Sequence, residues 1–319
     1  MPRRVIATMH QAIIGQDRAL ELVMSALLAG GHILLDDVPG VGKTLMAKTL
    51  AQSIDGIFNR IQFSPDLMPS DVTGINLFAP LSGEARRLNP ESEFRFIQGP
   101  VFANVLLADE INRASPRTQS SLLEAMEEGF VTVDGETHHL PRPFLVIATQ
   151  NPVEFQGTFP LPEAQLDRFA VKLSLGYPAV SEEEELLRRS ANGSTGVRPG
   201  HDGERVQPII TTQELSAWQK EVRAVRVDAS LQAYIVSFAN VTRNHPQIAL
   251  GVSPRGSLTW QRMAQALAYL KGRTYVTPDD LKTTAHAVLG HRLIVAGRSG
   301  AQNKSALLED LLDSQPIPV

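Results

Sequence analysis

The stretch Gly40-Val41-Gly42-Lys43-Thr44 constrains this chain more than anything else in it, because it sits between a short apolar run over residues 32–35 and a helical pattern over residues 43–54. Strand, glycine-rich loop and helix, in that order, begin the alternation that builds a parallel sheet wrapped by helices. The residue types also suit phosphate. Gly40 and Gly42 let backbone N–H groups turn inward onto phosphate oxygens, and a helix opening at Lys43 adds the positive end of its dipole. Lys43 is placed to reach β- and γ-phosphates as a point charge, and the Thr44 hydroxyl to ligate Mg²⁺. One position departs from the usual Gly-x-x-x-x-Gly-Lys-Thr pattern: Asp37 stands where the first glycine is expected. A carboxylate beside triphosphate would repel it, so Asp37 is expected to point away from the nucleotide at the strand end. Taken alone, such a pentapeptide is equally a tight turn opening a helix.

A second feature removes that ambiguity. Val105-Leu106-Leu107-Ala108 is an apolar strand that ends in two adjacent carboxylates, Asp109 and Glu110. In a phosphoryl-transfer site the first acid holds Mg²⁺ in its outer shell and the second orients and polarises the attacking water. An Asp-Glu pair after a buried strand is otherwise a solvated turn, but a phosphate loop earlier in the chain gives it a task.

Around these motifs the pattern predicts a helix over residues 11–28, strands over 32–35, 104–108 and 144–149, and a helix over 116–128 with proline in its first turn. A hairpin over residues 131–140 turns at Asp134-Gly135. After residue 176 the pattern changes to an acidic helix start, a Gly-rich polar stretch over 191–203, and helical segments over 212–225, 230–242, 257–270 and 278–289. The expected fold is therefore α/β: a P-loop core of parallel sheet and helices over residues 1–176, followed by a small all-α domain over 177–319, with the tail from 313 onward frayed.

Composition narrows the setting. No apolar run approaches the roughly 20 residues of a membrane span, and no stretch reads as a signal peptide, so the expectation is a cytoplasmic protein without a span. Zero cysteines exclude disulfides, thiol catalysis and cysteine-containing zinc sites. A formal charge of −4 and a pI near 6.1 count against a dominant nucleic-acid footprint.

Further segments carry a resemblance: Ile14-Gly15-Gln16, residues 62–71 (Gln-Phe-Ser-Pro-Asp-Leu-Met-Pro-Ser-Asp), Asp109-Glu110-Ile111-Asn112-Arg113-Ala114, residues 123–128 (Leu-Glu-Ala-Met-Glu-Glu), Ala148-Thr149-Gln150-Asn151-Pro152, residues 161–169 (Leu-Pro-Glu-Ala-Gln-Leu-Asp-Arg-Phe) and Ser253-Pro254-Arg255. With the two phosphate motifs, they make the chain resemble the MoxR family of AAA+ ATPases along nearly its whole length.

The resemblance implies a nucleotide domain and a helical lid, assembled as a homo-oligomer, usually a hexameric ring, with ATP between subunits. It implies that Ile14 and Gly15 line the adenine pocket, and that Pro39, Gly40, Val41, Gly42, Lys43, Thr44 and Leu45 hold ATP or ADP. Asn151 looks like the sensor residue that helps place the water, its plain alternative being an Asn-Pro turn. Arg168 looks like an arginine finger delivered to the neighbouring subunit, and Arg255 like a second sensor coupling the lid to the γ-phosphate. Arg113 has an interface role or an exposed salt bridge.

Residues 64–96 are longer than a simple connection and resemble an insertion lining the ring's pore face, together with the 131–140 hairpin. The implied activity is Mg²⁺-dependent ATP hydrolysis driving chaperone-like remodelling, maturation or metal-cofactor insertion of a client, often with a von Willebrand factor A-domain partner. A nucleic-acid motor would need basic pore loops, whereas Asp66, Asp71, Glu84, Glu91, Glu93, Asp134 and Glu136 outnumber Arg86, Arg87 and Arg95 there. A slow ATP-dependent binding switch is the third reading. His138 and His139, being adjacent, point to opposite strand faces and make a poor metal pair.

Overall fold

The computed structural model describes residues 2–38, 40–78, 94–151, 157–191, 207–296 and 301–316. Pro39, Pro152, the charged residues of the insert between 84 and 93, and nearly all of the Gly-rich stretch lie outside them.

Five strands form one all-parallel sheet: β1 (His32–Asp36), β2 (Phe58–Gln62), β5 (Val105–Asp109), β8 (Leu145–Gln150) and β9 (Phe169–Leu173), in the spatial order β2-β5-β8-β1-β9. The three central strands are nearly continuous apolar runs because both of their faces are covered. Ile33, Leu35, Val105, Leu107, Leu145 and Ile147 turn to one face, where helices α1 (Arg3–Ala12), α2 (Asp17–Ala29) and α3 (Lys43–Ser53) and the C-terminal helices share a core. Leu34, Leu106, Ala108, Val146 and Ala148 turn to the other, against the helix Pro116–Glu128. That helix has the predicted bounds, with the Ser115 hydroxyl accepting from Thr118 N and Pro116 at its first turn.

The single helix expected over residues 11–28 is corrected. Two helices meet there, because Gly15 (φ 70°) and Gln16 (φ 66°) are both left-handed and end the helical run between them. Val5, Ile6 and Met9 of the unforeseen first helix are buried in the core.

Two hairpins stand off the sheet. β6 (Phe130–Val133) and β7 (Glu136–His139) turn through Asp134 (φ 50°) and Gly135 (φ 85°), the two positive values that a tight hairpin needs. The insert forms a short helix, Pro69–Thr73, and the antiparallel pair β3 (Gly74–Phe78) and β4 (Phe94–Gln98). It leans on the first hairpin, with Phe96 stacked on His138 at 3.8 Å and Asn76 donating to Asp134 Oδ2 at 2.9 Å.

Beyond β9 the chain is helical: Val180–Ala191, Thr212–Ala224, Ala229–Asn244, Pro254–Leu270, Pro278–Leu289 and Ala301–Ser314. The last helix and a small antiparallel pair, β10 (Ile248–Leu250) and β11 (Ile294–Val295), add to the helical segments that the sequence pattern predicts. Phe238 and Trp260 of this region are fully buried in the same core as Leu27 and Leu28 of α2. Among the described residues no helix is long and apolar enough to cross a membrane.

Candidate active site

The glycine-rich loop leaves the carboxyl end of β1 and enters α3 through Gly40 and Gly42, both at φ 89°. A side chain at either would strain this backbone, and a Cβ built there meets nothing within 4 Å. The loop is thus an open cradle that a phosphate can approach. Lys43 Nζ folds back onto it, donating to the carbonyls of Asp37 at 3.0 Å and Val38 at 3.4 Å. Asp37 is buried, and its carboxylate faces the end of β9, accepting from Ser174 Oγ at 2.7 Å, Leu175 N at 2.7 Å and Gly176 N at 3.1 Å. Thr44, Leu45 and Val41 are half-buried around the loop, Val41 against the core. Gly15 is covered by the Glu182 carboxylate, which a Cβ there would strike.

The paired acids sit beside the loop, because β8 lies between β1 and β5 in a parallel sheet. Asp109 is buried; its Oδ1 accepts from the Thr149 hydroxyl at 2.6 Å and its Oδ2 from Arg60 Nη2 at 2.8 Å. Thr149 Oγ1 also accepts from Glu110 N at 2.9 Å. Glu110 has a left-handed backbone (φ 56°), a conformation that side-chain-bearing residues seldom adopt. Its Oε2 accepts from Gln62 at 2.7 Å and Arg113 at 3.0 Å. Asn151, one residue past β8, is buried between the β1 and β5 ends. Lys43, Thr44, Asp109, Glu110 and Asn151 therefore share one end of the sheet.

Arg168 and Arg255 share the other. Arg168 immediately precedes β9, whose Phe169 pairs with His32 at the start of β1, so it lies about 16 Å from the loop at about 3.3 Å per strand residue. Its Nε meets Glu127 Oε2 at 2.8 Å, and Arg255 Nη1 meets Oε1 of the same carboxylate at 2.9 Å. Arg255 is thus not brought to the phosphate loop of its own chain, where a lid sensor acting in the same subunit would have to be. His32 fixes this end. Its Nε2 donates to the Met126 carbonyl at 3.1 Å, Nδ1 accepts from Val146 N at 3.0 Å, and burial pushes its pKa down to about 4.

Comparison with known proteins fits this layout. A family model described as "ATPase family associated with various cellular activities (AAA)" matches residues 32–171, and one described as "AAA lid domain" matches residues 240–311. The uncharacterized protein YeaC of Bacillus subtilis is 46% identical over 319 residues, covering 99% of this chain and 94% of its own. Chaperone MoxR1 of Mycobacterium tuberculosis is 41% identical over 301 residues, covering 92% of this chain and 75% of its own. The chain belongs to the MoxR family of AAA+ ATPases. A crystal structure described as that of a candidate ATPase from Cytophaga hutchinsonii superposes with a TM-score of 0.87 at 36% identity, over 99% of this chain and 94% of that one.

In this MoxR-family chain several groups that sequence reasoning passed over touch the candidate residues. Arg60 and Gln62 project from β2 onto the two acids, and Thr149 bridges them. Arg60 and Gln62 alternate with apolar Ile61, a period-2 signal that could have marked a polar strand face. Glu127, the shared anchor of Arg168 and Arg255, stands among other glutamates of a surface helix and carries no such signal.

Proposed function

We propose that this chain hydrolyses ATP to ADP and phosphate, with Mg²⁺, at sites completed between neighbouring copies, and that the cycle drives chaperone-like remodelling or maturation of a protein client in the cytoplasm. One observation carries this reading: the phosphate loop and paired acids lie at one end of the sheet, and the Arg168–Arg255 pair lies at the opposite end. A site using both must draw on two copies.

Lys43 exchanges the carbonyls of Asp37 and Val38 for β- and γ-phosphate oxygens, while backbone N–H groups of residues 40–44 face the phosphates. Ile14 and Gly15 border the adenine. Thr44 and Asp109 are the residues that would hold Mg²⁺, which when bound offsets the charge on the phosphates. Glu110 accepts a hydrogen bond from the attacking water and polarises it, and the Asn151 amide donates to the γ-phosphate while accepting from that water. Arg168 of the next copy, with Arg255 beside it, offsets the charge that develops on the transferred group.

Residues 1–176 form the nucleotide domain in this reading and 177–319 the lid, dividing just after Gly176 (φ 67°). The assembly is a ring, with six copies as the proposed closure, and the proposed adaptor is a protein with a von Willebrand factor A domain. Family membership supports both, and the chaperone named among the relatives supports the remodelling role.

Mixing Lys43→Ala with Arg168→Ala chains tests the shared site. Each alone should be nearly inactive, and the mixture should recover turnover where an intact loop meets an intact Arg168. A mixture no more active than its parts defeats the reading. Glu110→Gln chains held with ATP should co-purify an A-domain protein, and nuclease-sensitive recovery of DNA-bound proteins instead would defeat the client assignment.

A further inference from the structure

Arg168 is held from behind as well as by its side chain. Arg292, just past the helix Pro278–Leu289, is almost fully buried, and its guanidinium directs its donors onto the residues flanking Arg168. Nε donates to Asp167 Oδ1 at 2.6 Å, and Nη2 donates to the carbonyls of Asp167 at 3.0 Å and Phe169 at 2.6 Å. Nη1 donates to the carbonyls of Ala170 at 3.2 Å and Val288. The second oxygen of Asp167 accepts from Ser253 Oγ at 2.9 Å, and Ser253 caps the helix Pro254–Leu270 that carries Arg255. Glu127 then aligns Arg255 with Arg168 at its two oxygens.

Burying a guanidinium is unfavourable unless it is paired and hydrogen-bonded, and here the Asp167 carboxylate and four backbone carbonyls offset that cost. What the fork adds is geometry: its planar donors hold the carbonyls of Asp167 and Phe169, the residues before and after Arg168. We propose that Arg292 is a positioning residue for Arg168, and that through Asp167 it makes the Arg168–Arg255 pair follow the C-terminal helices as one unit. This rests on the reading that Arg168 serves the neighbouring copy. It adds that the placement of a subunit's own lid sets how it serves that neighbour.

The mixed assembly separates the two ideas. The donor chain carries Lys43→Ala, so it contributes only Arg168; the acceptor carries Arg168→Ala, so it contributes only a phosphate site. Recovered activity in that mixture establishes sharing, and its absence overturns sharing and the clamp together. Adding Arg292→Gln to the donor should then lower kcat at least about tenfold, with KM for ATP within about twofold, as expected for loss of an interaction made in the transition state. Adding it to the acceptor, whose Arg168 is already gone, should leave the mixture within about twofold. Equal losses on both sides, or none on the donor side, overturn the positioning role. Asp167→Asn placed in the same two chains repeats the comparison if Arg292→Gln does not fold. Arg292→Lys, which keeps the charge but lacks the fork, should restore little of the donor loss.

Discussion

Asp37 stands where a glycine is expected in a phosphate loop, and its surroundings turn an apparent defect into a fastening. Three donors from residues 174–176 engage both oxygens of its carboxylate, so its charge is directed into the end of β9 and its carbonyl is left for Lys43. Asp37→Asn places an NH₂ group against one of those donors. Asp37→Gly removes the acceptor altogether and leaves buried N–H groups unpaired. Hydrogen bonds to a charged group contribute about 1.5–3 kcal/mol, so each change should destabilise the protein by about 2 kcal/mol, read from urea unfolding. Nucleotide titration should show weaker binding in both, although the glycine restores the usual pattern. An Asp37→Gly chain that binds ATP more tightly at unchanged stability would show that repulsion, and not fastening, governs this position.

At the level of elements, His32 ties β1 to β8 and to the helix Pro116–Glu128 while holding no proton charge. The unfolded chain binds that proton near 6.5, and the folded one resists it to about 4. Between those values the unfolded state therefore carries more protons, so this stabilisation is complete above about pH 6.5 and drains away as pH falls toward 4. The linkage is on the order of 3 kcal/mol. His291, depressed in the same direction by burial, adds to it. His32→Asn should be less stable at about pH 7 yet lose less on acidification to about pH 4.5; an unchanged pH slope would remove His32 from the account. The same elements show what could be read beforehand. β1, β5 and β8 announce themselves as apolar runs because the sheet buries both of their faces, and the helix Pro116–Glu128 carries its own cap and proline. β2 and β9 are edge strands whose patterns mix polar and apolar residues, and neither stands out from its flanks. The phosphate loop and acid pair are contiguous motifs, so their chemistry was legible. Glu127 with Arg168, and Asp167 with Arg292, are joined only by the fold, and local pattern holds no record of such pairs.

For the whole molecule, a site divided between copies makes activity depend on how many copies meet. Specific activity should rise with protein concentration through the assembly range and then level off, while Arg168→Ala chains should stay low throughout even where sedimentation shows them assembled. A specific activity independent of concentration down to the monomer would place the complete site in one chain. Because β9 begins beside Arg168 and ends on the residues that grip Asp37, five residues of strand join the arginine a subunit offers to the loop it keeps. On the proposed mechanism the two poles of the sheet cannot satisfy each other within a chain, and the contact they favour is head-to-tail. An open file of such copies then always leaves something idle: one terminal loop faces solvent and one terminal arginine pair has no phosphate to meet. Only closure of the file leaves no unused end, so a ring missing one member loses its symmetry and also the working site at the break.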